Sequence, residues 1–197
     1  MKFNTSLKHL FISKTRIKLL NELFYFPQEL YYVRQLVRLV DEEINSVRRE
    51  LDNLSKAGVL LSEKRGNRLF YWTNPQNDMF YEILTMTHKT HGLGKLISSQ
   101  KEKIGNLKFL IYSSDFLMNR SKSGSVDFIL VGNKISLKDL DPIIKQEEEL
   151  RHREINYMVM DKSEFSLRKT KRDPFLVDFF LNSPVTIIGN AYEITNL

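Results

Sequence analysis

No cysteine occurs among the 197 residues. That absence excludes disulfide staples, thiolate nucleophiles, zinc fingers built on Cys and iron–sulfur clusters. Long apolar runs are also missing, and none approaches the roughly 18 residues that a membrane span requires. The opening stretch MKFNTSLKHLF is too polar for a secretory leader. There is no internal repeat and no low-complexity tract. A composition of 42% hydrophobic and 27% charged residues argues against general disorder. These absences lead to the expectation of a soluble, cytoplasmic protein without membrane contact, made of one large or two small domains.

Positive charge is in excess. Lys and Arg number 30 against 24 Asp and Glu, a formal charge of +6. Residues 1–75 hold 13 basic and 8 acidic side chains, a net of +5, whereas residues 107–197 hold 13 of each. A basic first third beside a neutral remainder suggests that the first part meets a polyanion. Ordinary solubility charge would look similar, so the arrangement of the charges has to discriminate.

Ser13 can cap a helix over about Lys14–Phe24, in which Ile17, Leu20 and Leu23 repeat at helical spacing. Val33, Leu36, Val37 and Val40 suggest a short second helix. Asp41 is a plausible N-cap for a third helix over 42–57, with Glu42 and Glu43 in the first turn, where the helix dipole favours acids. Gly58 stands where a helix-terminating glycine would. Two strand-like runs follow, Val59–Lys64 and Leu69–Thr73. Between them the sequence Arg65-Gly66-Asn67-Arg68 reads as a hairpin turn flanked by cations.

In the third helix, Ile44, Val47, Leu51 and Leu54 fall on one face within about 80° of arc. Asn45, Ser46, Arg49, Asn53 and Lys56 take the opposite face, with Arg48 at the flank. Asn and Arg can hydrogen-bond base edges in a major groove, Arg suiting guanine and Asn adenine. A plain amphipathic surface helix would show the same pattern. The hairpin tips the balance, because Lys64, Arg65 and Arg68 cluster at a Gly-Asn turn that could set cations against phosphates or into a minor groove. A charged hairpin that only protects its own edge is the alternative. Glu42 and Glu43 weigh against a polyanion partner unless they point away or serve the helix start.

The segments SVRRELDNLSKAGVL and EKRGNRLFYWTN, within residues 14–74, resemble the winged helix-turn-helix domain of ArsR-like transcriptional regulators. The resemblance implies binding of double-stranded DNA and a homodimer. It sets Tyr32 and Arg34 at the opening of the second helix, where phosphates are usually touched; the turn residue Asn67 is counted with the wing's DNA contacts. The metal-sensing cysteines of some relatives have no counterpart, so no metal and no cofactor are expected.

Beyond residue 107 the pattern changes. LKFLIY (107–112), VDFILV (126–131), INYMVM (155–160) and VTIIG (185–189) read as strands. Ser136–Leu150 and Pro174–Leu181 read as helices, and Asn119–Gly124 as a polar loop. Strands alternating with helices point to a small α/β unit inside an α+β chain. The stretches LKFLIYSSDF, SVDFILVG, HREINYMVMDKSEF and DPFLVDFFLNSPVTIIGN are similar to the nucleotidyltransferase-like domain found fused behind such winged helices. An active domain of that kind carries Gly-Ser after its first strand, to cradle phosphate, and Asp-x-Asp on its second, to hold divalent metal. Here the positions read Ser113-Ser114 and Ser125-Val126-Asp127, and INYMVM lacks the third carboxylate. Ser114 and Asp127 therefore mark a degenerate site, expected to be non-catalytic but able to take an unknown small-molecule or protein ligand. An enzyme modifying protein or RNA, with an accessory winged helix, is the alternative.

The expected division is a winged helix over 1–75, a helical linker over 76–106 and the nucleotidyltransferase-like unit over 107–197. Gly92 and Gly94 should break or bend the linker. Its apolar face, from Phe80 and Tyr81 to Leu96 and Ile97, is a possible dimerisation element. His88 and His91 stand at a metal-ligand spacing, yet without Cys they read as packing residues. The cluster Arg168, Lys169, Lys171 and Arg172 reads as a solvated loop.

Overall fold

The computed structural model describes residues 12–120 and 124–195. The expectations for the opening stretch 1–11 and for residues 121–123 of the polar loop lie outside the described residues. The fold is mixed α+β, and the chain divides into two compact units, residues 1–90 and 91–197.

The first unit begins with helix α1 (Lys14–Tyr25), whose N-cap Ser13 accepts a hydrogen bond from the Arg16 N–H at 3.2 Å. Strand β1 (Tyr31–Tyr32), α2 (Val33–Val40), α3 (Ile44–Lys56), the hairpin β2 (Leu60–Arg65) and β3 (Arg68–Thr73), and α4 (Phe80–Thr90) follow. The three strands form an antiparallel sheet in the order β1-β3-β2. Ile17, Leu20 and Phe24 of α1, Leu36 and Val40 of α2, and Val47, Leu51 and Leu54 of α3 are all buried, so the apolar stripes of the three helices close on one core.

The start of α3 differs from the expectation. Asp41 is not its N-cap. It closes α2 in the left-handed conformation at φ 48, and Glu43 caps α3 instead. An acid at position 41 can take a positive φ at modest cost because its short polar side chain bonds locally. The end of α3 matches the expectation. Gly58 adopts φ 69, its N–H donates to the Ser55 carbonyl, and the Val59 N–H reaches back to Leu54, each at 3.0 Å. This is a Schellman closure, and only a residue that tolerates a left-handed backbone permits it cheaply.

The second unit contains α5 (Gly92–Ser99), α6 (Lys101–Ile104), β4 (Asn106–Tyr112), α7 (Ser114–Leu117), β5 (Phe128–Asn133), α8 (Leu137–Arg151), β6 (Tyr157–Met160), α9 (Lys162–Thr170), α10 (Pro174–Leu181), β7 (Val185–Ile188) and α11 (Tyr192–Thr195). Its sheet runs β6-β5-β4-β7. β4 is antiparallel to both neighbours, and β5 pairs parallel with β6 through the α8 crossover. Phe109, Ile111, Ile129, Val131, Met160, Phe165, Leu176 and Phe179 form one cluster. The alternate residues Leu110, Tyr112, Phe128 and Leu130 are buried as well. Burial of both faces explains why these strands read as unbroken apolar runs. β5 also has a glycine that packing requires: a Cβ on Gly132 would lie 2.6 Å from the Asn106 carbonyl oxygen.

The stretch 76–106 is shared between the units. Phe80 of α4 packs 5.7 Å from Phe24, while Leu93, Ile97 and Ile104 are buried in the second unit. Each half carries its own apolar face, and Gly92 at φ 60 separates them. The 168–172 cluster is not all loop either. Arg168 and Lys169 lie on α9, which Asp161 caps by accepting from the Glu164 N–H at 2.7 Å and which Phe165 anchors in the core. Arg168 is paired with Glu164 at 2.7 Å. Among the described residues no helix is long and apolar enough to cross a membrane.

Candidate nucleic-acid interface

The two faces of α3 separate as its periodicity requires. Val47, Leu51 and Leu54 are buried, Asn45, Arg48, Arg49 and Asn53 are exposed, and Ser46 is half-buried. The acidic residues around this helix are engaged. Glu43 accepts from the Asn45 and Ser46 N–H groups at 2.8 and 2.9 Å, and these backbone bonds hold its carboxyl below the usual range. Glu42 pairs with Lys18 at 2.6 Å and Lys14 at 3.4 Å. Glu50 lies on the inner side of α3, only 4% exposed, against the Arg16 guanidinium at 2.8 Å. Burial pushes the Glu50 carboxyl up, but hydrogen bonds from Ser13 and Arg16 outweigh it and leave the group lowered. Three negative charges in the basic unit are thus tied into helix starts and ion pairs.

The hairpin closes through the two-residue turn Gly66-Asn67, with Arg65 paired opposite Arg68. Gly66 takes φ 57 at the first central position, as a type II′ turn requires. Lys64, Arg65, Asn67 and Arg68 are all exposed. Directly opposed residues share a face of a sheet, yet the two arginines differ in company. Arg65 is paired with Glu63 at 2.6 Å, its guanidinium 5.9 Å from the Phe70 ring centroid. The Arg68 guanidinium lies over the Tyr32 ring, 4.7 Å from its centroid.

A groove of about 790 Å³ runs between the start of α2, the side of α3 and the hairpin. Tyr32, Arg34, Arg38, Arg48, Asn67 and Arg68 line it, and none of its described lining residues is Asp or Glu. Five of these six were singled out from the sequence. Arg38 was missed, although it stands four residues after Arg34 and so on the same face of α2. Asn45, Ser46, Arg49 and Asn53 are not in this groove but on the exposed face of α3. Lys64 and Arg65 also lie outside it, on the hairpin. The walls include Leu69 and Tyr71. Burial raises the Tyr71 hydroxyl pKa.

The second unit arranges Ser114 and Asp127 differently from an open metal site. Both carboxylate oxygens of Asp127 accept from Arg153, each at 2.9 Å, and one also accepts from the Asn156 N–H at 2.9 Å. Asp127 is buried, at 4% exposure. The Ser114 hydroxyl donates to the Asn182 carbonyl at 2.8 Å, while Ser113 caps α7 by accepting from the Phe116 N–H at 3.1 Å. β6 carries Tyr157, Met158, Val159 and Met160, with no carboxylate. Among the described residues no three His, Asp or Glu side chains converge as metal ligands would. His88 is fully buried, 4.8 Å from the Tyr25 ring. His91 precedes α5, and burial together with nearby Lys95 brings its imidazole down to about 4.

No protein family, no curated protein and no solved structure matches the chain.

Proposed function

We propose that this chain is a DNA-binding transcriptional regulator of the ArsR-like winged-helix kind, acting in the cytoplasm as a homodimer on double-stranded DNA. The observation that carries the reading is the groove whose rim holds Arg34, Arg38, Arg48 and Arg68 and, among the described residues, no acid, beside the exposed Asn45-Arg49-Asn53 face of α3. The α3 face enters the major groove with Asn45, Ser46, Arg49 and Asn53 toward base edges. The arginines of the groove, with Lys64 and Asn67, grip the backbone, and this grip supplies affinity without sequence preference. Engagement of Glu42, Glu43 and Glu50 supports the reading, because those charges are screened from a polyanion by their own partners.

The second unit acts in this proposal as a degenerate nucleotidyltransferase-like domain without catalysis. The bidentate Asp127–Arg153 pair supports this, since a guanidinium already neutralises the one carboxylate at the expected metal position.

The test is fluorescence anisotropy with random duplex DNA over a salt series, followed by selection of bound fragments from genomic DNA. The expected result is binding whose logarithm falls linearly with the logarithm of salt concentration, and a selected motif with two-fold symmetry. Absence of binding to any duplex at low salt refutes the function.

A further inference from the structure

The wing carries two arginines on one sheet face at the same turn, yet their surroundings differ. We infer that Tyr32 is the positioning residue of Arg68, acting through its ring, and that Arg68 rather than Arg65 is the wing's phosphate-binding arginine. This rests on the DNA-binding reading and assigns unequal roles inside it.

Three observations carry it. Tyr32 is held twice by the backbone, as a β1 residue registered opposite Phe70 and as the N-cap of α2. Its ring is held a third time by an edge contact with Phe70, centroids 6.0 Å apart. The Arg68 guanidinium lies 4.7 Å from that fixed ring, and both residues line the groove with Arg34 and Arg48. Arg65 does not line the groove; its guanidinium lies farther from its own ring, 5.9 Å from the Phe70 centroid, and its Nε reaches Glu63 at 2.6 Å, so part of its charge is already matched. No carboxylate among the described residues pairs with Arg68.

The physical consequence follows from side-chain entropy. A free arginine on a hairpin tip samples many rotamers, and binding phosphate must freeze them. A guanidinium laid on an aromatic face keeps its planar N–H fork directed outward while the cation–π contact holds the plane. Arg68 then meets a phosphate already oriented, with its edge still free to donate two hydrogen bonds. The Tyr32 hydroxyl has no part in this, which separates the role from a direct contact by the phenol.

The experiment is a double-mutant cycle on the full chain, read as affinity for a random 30-base-pair duplex across a salt series. Thermal unfolding of each variant checks that it folds. Arg68→Ala should weaken binding about tenfold and flatten the salt slope by about one, the value of one phosphate contact. Tyr32→Leu should weaken it severalfold alone and less than twofold in the Arg68→Ala background. Tyr32→Phe should bind like the wild type, and Arg65→Ala should change affinity less than threefold. As a reading free of DNA, the Arg68 Nε–Hε resonance should show a ring-current shift in the wild type and in Tyr32→Phe, lost in Tyr32→Leu. The inference is overturned if Tyr32→Phe loses as much as Tyr32→Leu, if the Tyr32 and Arg68 losses add, or if Arg65→Ala equals Arg68→Ala. A wild type that binds no duplex refutes the functional reading itself, and this inference with it.

Discussion

The Arg153 guanidinium meets both oxygens of the Asp127 carboxylate at 2.9 Å, across 26 positions of sequence. The pair ties the start of β5 to the segment between α8 and β6. Removing the acid strands a mostly buried cation. Asp127→Ala should destabilise the protein by about 3–5 kcal/mol in denaturant unfolding, whereas the paired replacement Asp127→Leu with Arg153→Met should recover most of that. Incubation of the wild type with labelled nucleoside triphosphates and Mg²⁺ should transfer no label. Transfer that Asp127→Ala abolishes would overturn the non-catalytic reading.

Arg48 and Arg49 are adjacent and both exposed, but only Arg48 lines the groove. Arg49→Ala should cost about 1–3 kcal/mol on the selected site and relax its sequence preference. Arg48→Ala should weaken all duplexes alike and lower the salt slope by about one. Competition binding with cognate and scrambled duplexes separates the two. Equal affinity of the Arg49 variant and the wild type for the cognate site refutes base reading by that residue.

Gly58 ends α3 at φ 69 with only the Asn77 amide within 4 Å of where a Cβ would sit. Space is therefore not the obstacle; the left-handed backbone is. Gly58→Ala should destabilise by about 1–2 kcal/mol in urea unfolding, and Gly58→Asn by less, since Asn visits that conformation more readily. Equal costs for the two would mean that crowding, not backbone conformation, selects glycine.

His91 titrates near 4 in the folded protein because burial, with Lys95 adding to it, disfavours the cation, whereas the unfolded chain protonates near 6.5. Between those values the unfolded state binds the extra proton, so this residue's contribution to stability is lost as pH falls from about 6.5 toward about 4. Above pH 6.5 it contributes no pH dependence. The midpoint of thermal unfolding should drop over that interval, and the drop should be shallower in His91→Gln. Parallel profiles for the two proteins would refute the assignment.

Much of the site was legible before folding. The inward stripe Val47-Leu51-Leu54, the Ser13 cap and the Gly66-Asn67 turn each depend on residues within a few positions of one another. The position of α3's cap was misread because Asp is a preferred capping residue and Glu is not, whereas here Glu43 accepts from the Asn45 and Ser46 N–H groups and Asp41 ends α2. Only the conformation of the intervening backbone separates a left-handed helix end from a new start. Within 76–106 the pattern is silent on partners for a related reason: Phe80 and Ile97 are equally apolar, and a one-dimensional pattern does not say which core each one enters. α7 and α11 were missed because four residues offer little more than one turn of periodicity, and α9 because Phe165 is the one buried residue marking its inner face.

Sequence alone determined the amphipathic faces, the turn chemistry and the single acid of Ser125-Val126-Asp127, because helical period, glycine tolerance and residue identity are local properties. Tertiary structure alone decided which charges remain available to a partner. Glu50 is matched by Arg16 and Asp127 by Arg153, while Arg38 joins Arg34, Arg48 and Arg68 around one groove. Electrostatic partnership is set by a few ångströms of space, and chain separation carries almost no information about that distance.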